Sequence, residues 1–209
     1  MPNGHAYQEI DLANWKRARH YEVFANKEYP FVGTTTELDI SEWDAARQQS
    51  NRKFFPAFLH AVTLAMNAVE NFRYRIYENK VVLCETIKPS FVVFEKKEEL
   101  YYFASLEMTN DPLEFDRRVE EAKQLALTKR CLESFSDTDV FYVSCTPWFG
   151  FTDCIQPMQL SEPDSIPRIM WGKVKRSGNT VTVPFSVTGH HGLIDGFHIG
   201  KLFETIQMT

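Results

Sequence analysis

His190-His191-Gly192-Leu193-Ile194-Asp195-Gly196 puts an imidazole four residues before a carboxylate at the end of a strand-like run. An imidazole held in such a turn can take a proton from a hydroxyl or thiol near neutral pH. Two adjacent imidazoles on a continuing strand point to opposite sides, so His190 and His191 are not expected to share one job. Gly189, Gly192 and Gly196 leave the backbone free for a constrained turn. Three readings of the heptad stand at this point: a positioned general base, a buried hydrogen-bonded imidazole and a metal site. The metal reading would use His190, His191, Asp195 and His198. An i,i+4 histidine–aspartate pair converges on one ion only from a helix, and the glycines and strand pattern argue against a helix there. No metal is therefore expected.

These residues need elements to hold them. Thr180 to Gly189 alternates in strand fashion and faces Arg168 to Lys175 across Ser177-Gly178-Asn179, which reads as a hairpin. Asp195 to Met208 reads as an amphipathic helix with Phe197, Ile199, Leu202, Phe203 and Ile206 inward. Val140 to Cys145 is a short apolar strand that ends at Thr146-Pro147-Trp148. Phe91 to Glu95 and Leu100 to Met108 form another hairpin around Lys96 to Glu99, and Lys80 to Thr86 reads as a strand. Phe54 to Phe72 is a long apolar stretch at helical spacing, expected as a buried helix. Pro112 to Thr128 reads as a polar-faced helix. Ser41-Glu42-Trp43-Asp44 resembles a capping box, with Ser41 as cap and Asp44 in place of glutamate, opening a helix to about Ser50. Tyr29 to Thr34 reads as a loop before an extended Thr35 to Ile40. Strands and helices mix without a regular βαβ rhythm, which indicates an α+β or mixed-sheet α/β class.

Composition narrows the function. The chain has 209 residues, 44% hydrophobic and 24% charged, with seventeen Phe, eight Tyr and four Trp to build a core. A net charge of −5 speaks against a nucleic-acid partner. No apolar run approaches the roughly 20 residues that cross a bilayer. Met1 to His5 is polar and lacks a signal-peptide core, so no membrane partner and a cytoplasmic location are expected. The four cysteines form no CxxC pair, and reduced thiols are expected, although Cys145 and Cys154 flank a Pro-Trp turn and could meet. With no repeat, low-complexity tract or linker, residues 1–209 are expected to form one domain.

His190 to Gly200 resembles the C-terminal signature HHxxxDGFHxG of the chloramphenicol acetyltransferases. Asn14-Trp15-Lys16-Arg17 is similar to the family's NWxR, Val143 to Trp148 to its VSxxPW and Lys53-Phe54-Phe55-Pro56 to its KFYP. The similarity runs in order from about Trp15 to Phe203. It implies an α/β two-layer sandwich, a large mixed β-sheet packed by helices, that assembles as a homotrimer with active sites between subunits. It implies acetyl-CoA as co-substrate and direct transfer to a hydroxyl acceptor in a ternary complex. His191 would be the general base, Ser144 a hydrogen-bond donor to the oxyanion, and Asp195 a structural carboxylate paired with Arg17. Phe24, Tyr29, Phe103 and Met170 would line the acceptor pocket. Lys53 and Lys173 would lie near the nucleotide phosphates of coenzyme A, and Phe55 near its adenine. Phe24 and Met170 stand where the family usually has tyrosine and threonine, and Gly150 and Asp153 also depart from its pattern. Alternatives are a dihydrolipoamide acyltransferase core, a degenerate binder of small molecules and a metal-dependent hydrolase. The first lacks its usual linkers and lipoyl domain in this chain.

Overall fold

The computed structural model describes residues 7–132, 138–160 and 163–209. The Met1 to His5 reading lies outside them. In chain order the elements are β1 (Tyr7–Glu9), α1 (Ala18–Ala25), β2 (Phe31–Asp39), α2 (Ser41–Gln49), α3 (Phe54–Ala68), β3 (Tyr74–Tyr77), β4 (Lys80–Cys84), β5 (Lys88–Glu95), β6 (Leu100–Ser105), α4 (Pro112–Lys129), β7 (Val140–Cys145), β8 (Arg168–Trp171), β9 (Lys175–Ser177), β10 (Thr180–His190) and α5 (Gly196–Met208). Seven strands form one mixed sheet in the order β2-β10-β8-β7-β5-β6, with β9 pairing β10. β5, β7 and β8 run parallel to one another, and the other pairs are antiparallel. β1, β4 and β3 make a separate small sheet. The mixed α/β sandwich expected from the sequence is the fold observed.

Strand alternation divides the large sheet into two faces. Val143, Ile169, Trp171, Phe185, Val187 and Phe91 point one way and are buried. On them lies α3, largely apolar and mostly buried, with the polar His60, Thr63 and Asn67 each hydrogen-bonded. Its Phe58 ring meets Trp171 at 5.1 Å and Phe185 at 6.1 Å. Phe203 of α5 closes on Phe185 from the other side at 5.9 Å. The opposite, outer face carries Ser90, Val92, Phe103, Tyr142, Ser144, Arg168 and Met170. The segment between β7 and β8 runs over part of that face.

Several expectations are corrected. The Ser41 capping box does not form: Ile40 is the N-cap and its carbonyl accepts the Asp44 N–H, while the Ser41 hydroxyl donates to Asp39 and accepts the Val181 N–H. Asp44 is fully buried and receives hydrogen bonds from Arg47, Gln48 and Arg176. Burial works against its charge, but those three donors prevail and hold its pKa down to about 2. The buried helix from Phe54 ends at Ala68, and a 3-10 turn takes Glu70–Arg73. The strand expected over Leu100 to Met108 stops at Ser105. The strand expected from Arg168 to Lys175 breaks after Trp171, where Lys173 donates its N–H to Phe149 O at 2.9 Å. Both pieces still pair with β10. Phe31 to Thr34 belong to β2, because His190, Gly189, Thr188 and Val187 of β10 supply partners for them.

Candidate active site

Arg17, Tyr21 and Phe24 lie at the start of α1 and along one of its faces, at spacings of four and three residues. Each touches the His190–Asp195 turn. Phe24 stacks on the His191 ring at 4.1 Å with 23° between the planes. Tyr21 lies 6.3 Å from the His190 ring. The Arg17 guanidinium clasps the turn at three points: Nε to Gly192 O at 2.8 Å, one terminal nitrogen to His191 O at 3.0 Å and the other to Asp195 Oδ2 at 2.7 Å. A planar fork suits this better than a lysine ammonium would. Burial works against the charge on Asp195, yet Arg17 and the Phe197 N–H keep its pKa below the usual carboxylate value. Asp195 is also the N-cap of α5, and the His198 ring returns the favour at the Asp195 N–H. One carboxylate thus joins the turn to both α1 and α5.

The two imidazoles differ as expected. His190 is 2% exposed, and burial pushes its pKa down to about 4. Its neutral Nδ1 accepts the Gly192 N–H at 3.1 Å. A Cβ on Gly192 would sit 3.0 Å from that ring and 3.1 Å from Tyr21, so a larger residue there would have to push these rings aside by a few tenths of an ångström. His191 is partly exposed, and its Nδ1 lies 3.1 Å from the carbonyl oxygen of Ile194. A carbonyl can only accept, so Nδ1 carries the hydrogen and Nε2 presents its lone pair.

Ser144 lies elsewhere. It is the penultimate residue of β7, on the outer face opposite Met170 of β8, which pairs with Ser186 of β10. His191 follows five residues beyond Ser186. The register therefore separates Ser144 and His191 by roughly 16 Å along the strands and about 10 Å across them. Ser144 lines a cavity of about 620 Å³ with Phe103, Val92, Tyr142, Gln156 and Met158, without His191. Within one chain the predicted residues fall into two half-sites. His191, Arg17, Asp195 and Phe24 form one, with Tyr29 close by against Phe31 at 5.3 Å. Ser144, Phe103 and Met170 belong to the other.

A third group lies at the start of α3. Phe55 packs on Phe91 and Trp171 at 5.7 and 5.8 Å, and Lys123 Nζ stands 4.6 Å from its ring centroid. Lys53, the N-cap of α3, and Lys173 are exposed cations. Cys145, half-buried beside this group, has its thiol pKa pushed up to about 12 by desolvation, which suits packing and not nucleophilic attack. All four cysteines are free thiols, so Cys145 and Cys154 are not bridged.

The family model described as "Chloramphenicol acetyltransferase" matches residues 5–207. The chain belongs to the chloramphenicol acetyltransferase family. It is 26% identical over 204 residues to a chloramphenicol acetyltransferase of Klebsiella sp, covering 96% of this chain and 92% of that one. Against the enzyme of Proteus mirabilis the identity is 27%, covering 95% and 92%. A solved chloramphenicol acetyltransferase has the same fold, with a TM-score of 0.83 at 23% identity over 97% of this chain and 99% of that one. The dihydrolipoamide acetyltransferase of Azotobacter vinelandii is a more distant fold neighbour, with a TM-score of 0.64 at 14% identity, covering 91% and 85%. The chain is an acyltransferase of this family.

Among the described residues no group of three or more His, Cys, Asp or Glu is placed to hold a metal ion, and no helix is long and apolar enough to cross a membrane. Sequence reasoning missed the part played by Tyr21 and Ile194, and that Gln156 lines the outer-face cavity. Tyr21 was reachable from its helical spacing to Arg17 and Phe24. Gln156 lies in an irregular stretch with no period to reveal which way it faces.

Proposed function

We propose that this chain is an acetyl-CoA-dependent O-acetyltransferase acting on chloramphenicol or a related small-molecule alcohol. The observation that carries the mechanism is the Nδ1–H donation from His191 to Ile194 O, which leaves Nε2 free to act as base. In this reading Nε2 takes the proton from the acceptor hydroxyl as its oxygen attacks the thioester carbonyl. Ser144 Oγ–H donates to the tetrahedral oxyanion, a contribution typically worth about 3 kcal/mol or more. Collapse expels the coenzyme A thiolate, and the imidazolium returns the proton to the sulfur. Arg17 and Asp195 are positioning residues that hold the turn, and Phe24 keeps the imidazole plane fixed. Tyr29, Phe103 and Met170 line the acceptor region. Lys53 and Lys173 hold phosphates and Phe55 receives the adenine. No metal takes part.

Because Ser144 and His191 are too far apart to meet at one hydroxyl within a chain, the same reading requires a partner copy. We infer a homotrimer in which the His191 half-site of one copy faces the Ser144 half-site of the next. Residues 1–209 would form one domain working in the cytoplasm, where acetyl-CoA is available.

Mixing the protein with acetyl-CoA and chloramphenicol, and following thiol release with a chromogenic disulfide, tests the function. Release should exceed the rate without acceptor. His191→Ala should lower kcat about a hundred- to ten-thousandfold, the range for a lost general base. No release with chloramphenicol or with a panel of small alcohols, from correctly assembled protein, would overturn the proposal.

A further inference from the structure

Every carbonyl of the turn that carries His191 has a partner, and one of those partners lies outside the residues considered so far. His190 O accepts the N–H groups of Leu193 and Ile194. Arg17 takes His191 O and Gly192 O, and the His191 ring takes Ile194 O. Leu193 O is out of that arrangement and is held by Asn71 Nδ2 at 2.9 Å. A carbonyl only accepts, so the amide of Asn71 must present its NH2 group there.

The support behind Asn71 is firm. It sits in the 3-10 turn Glu70–Arg73, between α3 and β3, where Phe72 is fully buried. Arg73 ties the same turn to Cys84 O and Glu85 O at 2.8 and 2.9 Å. Glu70 accepts the Tyr74 hydroxyl at 2.7 Å, and that hydroxyl accepts the Trp15 Nε1–H at 3.3 Å. Trp15 stands two residues before Arg17. The two side chains that grip the turn, Arg17 and Asn71, are therefore joined behind it.

The grip of Asn71 bears on the base. Its bond to Leu193 O and the bond from Ile194 N–H to His190 O, at 3.0 Å, hold both sides of the Leu193–Ile194 peptide. The next carbonyl along the chain is Ile194 O, which takes the His191 Nδ1 hydrogen at 3.1 Å. A hydrogen bond at one ring nitrogen decides which tautomer a neutral imidazole adopts. If Ile194 O turns away, the hydrogen is no longer kept on Nδ1, and fewer molecules offer a lone pair at Nε2.

We propose that Asn71 is a positioning residue for the transfer reaction, holding Leu193 O so that Ile194 O keeps His191 in the tautomer with a free Nε2. This deepens the reading of His191 as the base and rests on it.

The test compares wild type, Asn71→Ala and the near-isosteric Asn71→Asp at about pH 8, where an ordinary carboxyl is ionised and has no proton to donate. Ring nitrogen shifts of protein labelled with 15N-histidine report the tautomers, with His191→Ala assigning the His191 signals. Wild-type His191 should carry its hydrogen on Nδ1. His190 should carry it on Nε2, because its Nδ1 accepts the Gly192 N–H. Both Asn71 variants should move His191 towards a mixture of tautomers and leave His190 unchanged, which also shows that the turn is folded. Thiol-release kinetics should show kcat lowered on the order of tenfold to a hundredfold, as for a reacting group out of place, with the KM for acetyl-CoA unmoved. A role in packing alone would let Asn71→Asp keep full activity and leave the His191 signals in place. That result, in either variant, would overturn the proposal. If the tautomer shifts as expected while kcat holds, Asn71 does set the ring and the reading of His191 as base is what fails.

Discussion

His191 and His190 are adjacent in sequence but occupy opposite environments. His191 has its Nε2 lone pair left free because Ile194 O holds Nδ1. His190 is locked neutral between Tyr21, Phe31 and the Gly192 N–H. Its burial has a consequence for stability. An exposed histidine in the unfolded chain takes a proton near pH 6.5, whereas folded His190 does so only near pH 4. The unfolded state therefore binds the extra proton first, and stability falls as pH drops from 6.5 towards 4. Between pH 7.5 and pH 5 this one residue should cost about 2 kcal/mol. Urea unfolding at the two pH values measures it, with His190→Phe as control. A difference that persists unreduced in His190→Phe would remove His190 as its source. The different environments of the two histidines were legible from strand alternation, and the Arg17–Asp195 pair from the family resemblance.

At the level of elements, α5 and α1 meet through Asp195. The carboxylate caps α5 and pairs with Arg17, and these two roles separate by substitution. Asn caps a helix nearly as well as Asp, so Asp195→Asn should keep the cap and lose the charge pair. Asp195→Ala should lose both, and be about 1 kcal/mol less stable than Asp195→Asn by denaturant unfolding. If the positioning role holds, both variants should lower kcat more than they change the KM for acetyl-CoA. Equal stability of the two variants would mean that the cap contributes little. Most elements could be read from periodicity: α3 from apolar residues at helical spacing, α4 from its polar-faced helical pattern, β7 from its short apolar run and β10 from its alternation. Other local readings failed for tertiary reasons. Asp44 looked like a cap residue but is held by Arg176 from 132 positions away. β1 has only three residues, too few to show a period, and exists because β4 pairs with it. The start of β2 looked like a loop around Pro30, and its strand character comes from β10.

For the whole molecule, the separation of Ser144 from His191 is the dominant fact. Nothing in the order of residues along the chain reveals it, because both residues sit at strand ends in the signature pattern. It appears only once β7, β8 and β10 are in register. A rigid sheet cannot fold far enough to bring the two together, so the account requires copies joined head to tail, each lending its own half-site to a neighbour. The most direct test uses two inactive variants, His191→Ala and Ser144→Ala. Each alone should retain little turnover. When the two are co-expressed or unfolded and reassembled together in equal amounts, half the copies carry an intact His191 and half an intact Ser144. A quarter of the interfaces in a mixed cyclic assembly should then pair an intact His191 with an intact Ser144, restoring about a quarter of wild-type activity. Activity in the mixture no greater than that of the two parents would contradict a shared site.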